Sequence, residues 1–284
     1  MSEFVPYRDY LRPRGLTWIK AALRVSVAVQ CFGAAALRLS GGGVSPIADF
    51  LIVDLNWPAA QAGQFDNSAA YGLLACGILC ALRPMWPVLL PVVVWFIANA
   101  LVPLVRSVSA TSEFVLLEQG VRFLSPLALL ILDFWPPCLK SHLGRTVAAM
   151  WILRIAAAST LTGLGLMAVL HSVKSGPSLM LLQSVVQQSR GEQLTEVSAR
   201  CWLGAVGGLS LALALNVLVT RSKPILVCTM AWGFISAISR MIDLGPAGYP
   251  ESLVRFGEIG VPAVLLLYFS LSIRETPPEI LAEN

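Results

Sequence analysis

The chain has 284 residues, of which 56% are hydrophobic and 13% are charged, and its formal net charge is +4. Soluble domains carry roughly 25% charged residues, so the composition excludes an ordinary water-soluble globular protein and predicts an integral membrane protein. The net positive charge is small, and the sequence has no run of basic residues that would indicate a nucleic-acid partner. The predicted partner is therefore the lipid bilayer.

The first half of the chain contains four apolar stretches that are each near the ~20 residues a helix needs to cross a bilayer. They follow a polar segment, residues 1–17, that has no signal-cleavage pattern, so we expect the first helix to be retained. The second stretch is short, so its helix must tilt little, thin the bilayer, or begin earlier, near Phe65. The four predicted spans cover residues 18–37, 68–82, 87–105 and 114–135.

The second half repeats this organisation after a predicted linker at residues 136–146. Its four predicted spans cover residues 147–170, 201–219, 224–242 and 253–273, and a tail follows at residues 274–284. The sequence therefore predicts an all-α integral membrane protein with eight transmembrane helices.

A long segment separates the first and second predicted spans of each half. In the second of these segments, Leu179, Leu182 and Val185 lie on one face of a helix. A rougher apolar stripe contains Ile47 and Phe50 in the first segment. We expect a short helix in each, either on the outer membrane surface or packed on the protein.

Matching residues recur at nearly constant spacing in the two halves. The offsets are 154−24 = 130, 224−87 = 137, 232−95 = 137 and 262−126 = 136. This spacing predicts a tandem duplication, in which the even number of spans gives both four-helix repeats the same orientation. The pairs are Arg24 and Arg154, Pro87 and Pro224, Trp95 and Trp232, and Pro126 and Pro262.

Basic residues favour one set of connecting segments, which contains Arg8, Arg83, Lys140, Arg221 and Arg274. Positively charged loops remain in the cytoplasm, so we predict a multi-pass protein of the cell inner membrane with both termini cytoplasmic.

Charged residues inside apolar spans are costly and mark candidate sites. Arg24 and Arg154 occupy matching positions near the cytoplasmic ends of their spans. They either extend to lipid phosphates or bind a carboxylate or anionic head group. Asp133 lies at a depth that suits Arg24, whereas Arg154 has Phe269 at the corresponding place.

A second candidate polar site lies toward the outer face. Arg122 and Glu258 each precede the matching proline by four residues, so one repeat position carries opposite charges. The two side chains are candidates for a structural salt bridge across the repeats, for a ligand or ion site, or for solvent-facing charges. The neighbouring charged residues are Glu118, Arg106, Arg240 and Arg255.

The sequence predicts no catalytic residue, metal site or cofactor. Haem requires axial ligands, and His142 and His171 are predicted at opposite membrane faces. Cys76 and Cys80 share a helix face and are interpreted as buried apolar residues, with a thiol redox pair as the alternative.

Arg24, the run Phe32–Arg38 and Pro46 together resemble the first helix of DoxX-like membrane proteins. The glycines of the second spans resemble that family as well. The resemblance implies four-helix units, fused here as a pair, and a function as an accessory subunit beside quinone-linked redox systems. It transfers no catalytic residue. The glycines are Gly72, Gly77, Gly204, Gly207 and Gly208.

Three functional hypotheses follow. The first is a non-enzymatic accessory or scaffolding subunit of a membrane protein complex, associated with a quinone-linked redox system. The second is a transporter for a small solute or lipid, with its site between the repeats. The third is a membrane thiol redox enzyme that uses Cys76 and Cys80.

Overall fold

A computed structural model describes residues 9–11, 15–41, 43–83, 85–106, 112–133, 142–191 and 193–274. Most of the predicted N-terminal segment, tail and linker therefore lies outside the described residues, as does the end of the fourth predicted span at Trp135. The regular secondary structure of the described residues is helical apart from two three-residue strands, Asp9–Leu11 and Ser272–Arg274. The helices are α1 Gly15–Leu39, α2 Pro46–Val53, α3 Ala59–Leu82, α4 Trp86–Arg106, α5 Ser112–Glu118, α6 Gly120–Asp133, α7 His142–Val173, α8 Pro177–Arg190, α9 Glu196–Val219, α10 Lys223–Leu244, α11 Tyr249–Val254 and α12 Gly257–Leu271, with a 3-10 turn at Gly245–Gly248.

Six helical stretches in the described residues are long and apolar enough to cross a bilayer. The second of them begins at Ala59, so of the three alternatives for this short span the structure shows an earlier start, six residues before Phe65. The six stretches are Gly15–Leu39, Ala59–Leu82, Trp86–Arg106, Gly144–Val173, Glu196–Val219 and Lys223–Val254.

The fourth predicted span of each half is divided into two helices in the structure. In the first half the helix is interrupted by a turn at Gln119, and in the second by a turn at Arg255 and Phe256. Pro126 and Pro262 lie within the longer helices that follow these turns. The fourth element of each half is thus a short helix followed by a longer one.

Local capping explains where the short surface helices begin and end. The Ser45 side chain accepts a hydrogen bond from the Ala48 N–H at 3.0 Å, which caps α2 at its N-terminus. Helix α8 ends at Gly191, whose φ of 71° is the left-handed conformation that glycine adopts most readily. Both predicted helices of the long connecting segments are therefore present.

The core forms where the first helix of each half packs against the fourth element of the other half. Helix α1 packs on α3 and also on α11 and α12, whereas α7 packs on α9 and also on α5 and α6. Ile19 and Leu23 of α1, Leu153 of α7 and Leu265 of α12 are fully buried in one continuous cluster. In a bilayer, burial of these side chains stabilises the bundle through close van der Waals packing, because lipid tails are as apolar as leucine.

The two described ends of the chain lie together. Strand Asp9–Leu11 pairs antiparallel with strand Ser272–Arg274, with Asp9 opposite Arg274. The start of α1 and the end of α12 are therefore on the same face of the bundle, called here the terminal face. The connections that contain α2 and α8 are on the opposite face.

Candidate functional site

The charged residues of the outer site meet at the interruptions of the two fourth helices. Arg255 donates a hydrogen bond to Glu118 of the first half at 2.9 Å and another to Glu258 of its own half at 3.2 Å. The three side chains are 7%, 19% and 10% exposed, respectively. One buried guanidinium thus bridges two carboxylates that come from different halves of the chain, and we call these residues the bridging triad.

The two interruptions share one backbone hydrogen bond at corresponding positions. The Arg122 N–H donates to the Gln119 carbonyl and the Glu258 N–H donates to the Arg255 carbonyl, each at 2.9 Å. Both bonds span three residues rather than four, and they occupy positions 136 residues apart (258−122 = 136, 255−119 = 136). The second interruption places Arg255 where it contacts Glu118, the last residue of α5 in the first half.

Arg122 and Glu258, the pair singled out by the sequence, do not form a direct ion pair among the described residues. Arg122 interacts electrostatically with Glu118 and Glu258, but Arg255 makes the close contacts. The sequence named Arg255 only as a neighbour, because the turn that directs it inward cannot be read from helical periodicity.

Arg240 of α10 extends the charged site. Its Nε lies 3.5 Å from a Glu251 carboxylate oxygen, and both side chains are about one-third exposed. Ser236, one turn earlier on α10, accepts a hydrogen bond from Arg255 at 3.1 Å. Helix α10 therefore connects the buried triad to a more accessible guanidinium.

A cavity of about 330 Å³ opens beside these residues, in the half of the bundle away from the terminal face. Its volume is at the lower end of the range of roughly 300–1,000 Å³ that is typical of small-molecule sites. Most of its wall is apolar, and its polar lining includes Glu118, Arg255, Arg240, Ser236 and His171. The apolar lining includes Leu164, Met167, Leu181, Leu182, Val185, Leu203, Val206, Trp232 and Ile235.

Helix α8 covers this cavity. At its start, Ser178 forms a 2.8 Å hydrogen bond with the Nδ1 of His171 on α7. Further along, Ser184 donates to Asp243 at the end of α10, and Gln188 donates to the Asp243 carbonyl at 3.1 Å. The apolar stripe seen in the sequence thus faces the cavity and the bundle, with Leu179 buried.

Arg106 does not belong to the outer cluster. It forms ion pairs with Asp49 and, at 2.9 Å, with Asp54 of the α2 region. These contacts attach α2 to the end of α4 in the first half.

Asp66 is a buried carboxylate that the sequence had assigned to a connecting segment. Its side chain accepts a hydrogen bond from the Ser45 N–H at 3.0 Å, and the residue is 6% exposed. The early start of α3 was the sequence signal that could have identified it. The corresponding residue of the second half, 137 positions later, is Leu203, which lines the cavity.

The site near the terminal face contains the other predicted residues. Asp133 binds Lys20 at 2.5 Å and Arg24 at 3.4 Å. Arg154 instead donates to the backbone carbonyls of Val217 and Thr220, at 3.0 and 2.6 Å. Its guanidinium also lies over the rings of Trp151, at 4.7 Å, and of Phe269, at 5.9 Å.

The cysteine pair lies in α3, where Cys80 is buried and Cys76 is partly buried, and both are free thiols. Cys80 contacts the Arg24 carbonyl at 4.0 Å. Within the described ranges, no group of three or more His, Cys, Asp or Glu side chains has the arrangement of a metal site.

The sequence matches no family model and no curated protein, and the structure matches no solved structure. The bridging triad and its cavity are therefore interpreted from their own geometry.

Proposed function

We propose that this chain is a multi-pass membrane protein that binds and transfers a small molecule with an apolar body, in the cavity beside the bridging triad. The observation that carries the proposal is the cavity itself, whose apolar wall ends at two arginines and a glutamate. This is the small-solute or lipid-handling function among the sequence hypotheses.

The proposal includes two like-oriented four-span repeats, at residues 18–135 and 147–273, with eight crossings of the bilayer. The burial pattern supports it, because every buried residue of α3 has a buried counterpart in α9 at an offset of 137. The pairs are Ala62 and Ala199, Asp66 and Leu203, Ala70 and Gly207, Leu73 and Ser210, Gly77 and Ala214, and Cys80 and Val217.

Reciprocal packing of two glycines gives further support. A Cβ on Gly33 would lie 2.7 Å from the backbone carbon of Leu253, and a Cβ on Gly163 would lie 2.9 Å from that of Leu117. The glycines are 130 positions apart and the leucines 136 (163−33 = 130, 253−117 = 136). Each first helix thus approaches the short fourth-element helix of the other half in the same manner, as expected for two copies related by a twofold axis.

The proposed orientation has both termini in the cytoplasm and the cavity in the outer half of the inner membrane. The pairing of Asp9–Leu11 with Ser272–Arg274 supports an even number of crossings. The basic segments identified in the sequence support the cytoplasmic assignment.

Interrupted helices support a transport function more than a purely structural one. Irregular backbone at membrane depth occurs where it is buried in protein or lines a cavity, and transporter sites are often built from such helices. Here both interruptions meet in the bridging triad, and two members of the triad line the cavity. Glu118 comes from the first repeat and Arg255 from the second, so motion of one repeat against the other would change the site.

The experiment uses purified full-length protein in phosphatidylcholine liposomes. Met167→Trp adds bulk inside the cavity, and Leu90→Trp makes a matched addition on an exposed apolar position of α4. We expect the wild type and Leu90→Trp to bind and exchange fluorescent single-chain amphiphiles, and Met167→Trp to lose both activities. Equal activity in all three proteins, or in protein-free liposomes, would overturn the proposal.

The accessory-subunit function stays a prediction from the resemblance to DoxX-like proteins. It predicts that gentle detergent extraction recovers the chain in a stable complex with quinone-linked redox proteins, and that the isolated chain binds no amphiphile.

A further inference from the structure

We propose that the cavity takes an anionic, single-chain amphiphile whose carboxylate or phosphate head binds Arg240. This inference rests on the function proposed above and adds the chemical class of the ligand. It starts from the different positions of the two arginines in the cavity wall.

Arg255 is already paired with two carboxylates and a serine hydroxyl. Its two terminal nitrogens bind Glu118, Glu258 and Ser236 at 2.9 to 3.2 Å. Removing these bonds would leave two largely buried carboxylates without their closest counter-ion, which is strongly unfavourable. Arg255 therefore holds the site together and does not release its partners to a ligand.

Arg240 has N–H donors other than the one that faces Glu251. Its ion pair with a described residue is the 3.5 Å contact between Nε and Glu251, which is longer than a normal charge-assisted hydrogen bond. A guanidinium carries five N–H donors in a planar fork that matches a carboxylate or a phosphate. Because its side chain is 31% exposed and lines the cavity, the remaining donors are accessible to a ligand.

The charge of the cavity wall favours an anion. Its lining contains the two arginines and one carboxylate, Glu118, and that carboxylate is bonded to Arg255. Glu251 and Glu258 are not part of the lining. A cationic head group would meet no unpaired carboxylate in the described wall, whereas an anionic head group would meet Arg240, with the Ser236 and Ser239 hydroxyls beside it.

The remaining wall selects an apolar body of limited size. Leu164, Met167, Leu182, Val206 and Trp232 surround the space beyond the arginines. A cavity of about 330 Å³ is at the lower end of the range for small-molecule sites, which favours a ligand with one chain over one with two. The shape therefore fits one alkyl chain, or the end of one, with its head at Arg240.

Trp232 provides a direct readout of binding, because it lines the cavity and bromine quenches indole fluorescence on contact. The full-length protein is placed in phosphatidylcholine nanodiscs and titrated with dibromostearate, at a pH that ionises the acid. Parallel titrations use dibromostearate methyl ester, the corresponding amine, and dibrominated phosphatidylglycerol. Subtracting the signal of Trp232→Phe removes quenching of the lipid-facing tryptophans.

We expect dibromostearate to bind at least tenfold more tightly than the ester or the amine, and the two-chain lipid to give little Trp232 signal. Arg240→Gln should weaken binding of the acid about tenfold and leave the ester unchanged, since only the charge-assisted bonds are lost. Glu251→Gln should strengthen binding of the acid by freeing Arg240. Arg83→Gln, at an exposed position near the terminal face, is the control and should change nothing.

The outcomes separate the two proposals. Trp232-dependent binding of all single-chain probes with equal affinity, or binding of the acid that Arg240→Gln leaves unchanged, would overturn the anionic class but retain the cavity as a site. Strong quenching by the two-chain lipid would overturn the single-chain assignment. If no probe gives a Trp232-dependent signal, both this inference and the proposed function fail.

Discussion

The Arg255 guanidinium lies 2.9 Å from the Glu118 carboxylate, across 137 positions of sequence, and joins the interrupted fourth helix of one half to that of the other. Arg255 is 6% exposed, so this pair is shielded from water. The pair is important for stability because leaving either charge unpaired in an apolar interior has a high cost in free energy.

Glu118→Gln should destabilise the protein by about 3 kcal/mol, because the substitution removes one counter-ion from a buried guanidinium. The measurement is reversible unfolding in mixed micelles. The control is Glu196→Gln, which breaks the exposed pair of Glu196 with Arg200 and should cost less than about 1 kcal/mol. Equal effects of the two substitutions would mean that the triad is solvated.

Gly33→Leu and Gly163→Leu should lower the thermal unfolding temperature by similar amounts. Each side chain would overlap backbone of the short fourth-element helix in the other half. Gly72→Leu, where no atom lies within 4 Å of the added Cβ, should be tolerated. A large loss at only one of the two packed glycines would argue against equivalent packing of the halves.

Six of the predicted spans correspond to long apolar helices of the structure, because each is a long apolar run that can be read directly from the sequence. The sequence also indicated a contact between Arg24 and Asp133 from their similar depth. In the structure an Arg24 guanidinium nitrogen lies 3.4 Å from an Asp133 carboxylate oxygen. Periodicity and depth are local properties, so they can be read from neighbouring residues.

The outer site could be predicted only in part. Arg122, Glu258, Glu118 and Arg240 were identified as costly charges, but their pairing depends on how two interrupted helices turn toward each other. The displacement of Arg122 by Arg255 in the close contact with Glu258 follows from the turn at Arg255 and Phe256. That turn depends on tertiary packing, and no local sequence pattern predicts it.

Asp133→Asn should be more destabilising than Arg24→Gln. Asp133 is 8% exposed and is the shared counter-ion of Lys20 and Arg24, so its neutralisation leaves two cations near each other. In Arg24→Gln, Lys20 still neutralises the carboxylate at 2.5 Å. Unfolding measured in the same micelles should rank the two variants in this order, and the reverse ranking would show that Lys20 does not bind Asp133.

Asp66→Leu should cost about 1–3 kcal/mol, since the Ser45 N–H would lose its buried acceptor. Asp66→Asn, which keeps a carbonyl oxygen at the same place, should recover most of that loss. The comparison is informative because leucine is the residue at the corresponding position of the second half. A neutral Asp66→Leu variant would mean that the α2 region does not depend on this bond.

Membrane topology is the most direct test of the two like-oriented halves on which the account rests. Short epitope tags are placed at both chain ends and in the connections at Gly43, Arg83, Gly191 and Ser222, and their accessibility is measured in sealed spheroplasts before and after permeabilisation. We predict that both ends, Arg83 and Ser222 are reached only after permeabilisation, and that Gly43 and Gly191 are reached in intact spheroplasts. Chain ends on opposite sides of the membrane would contradict the account.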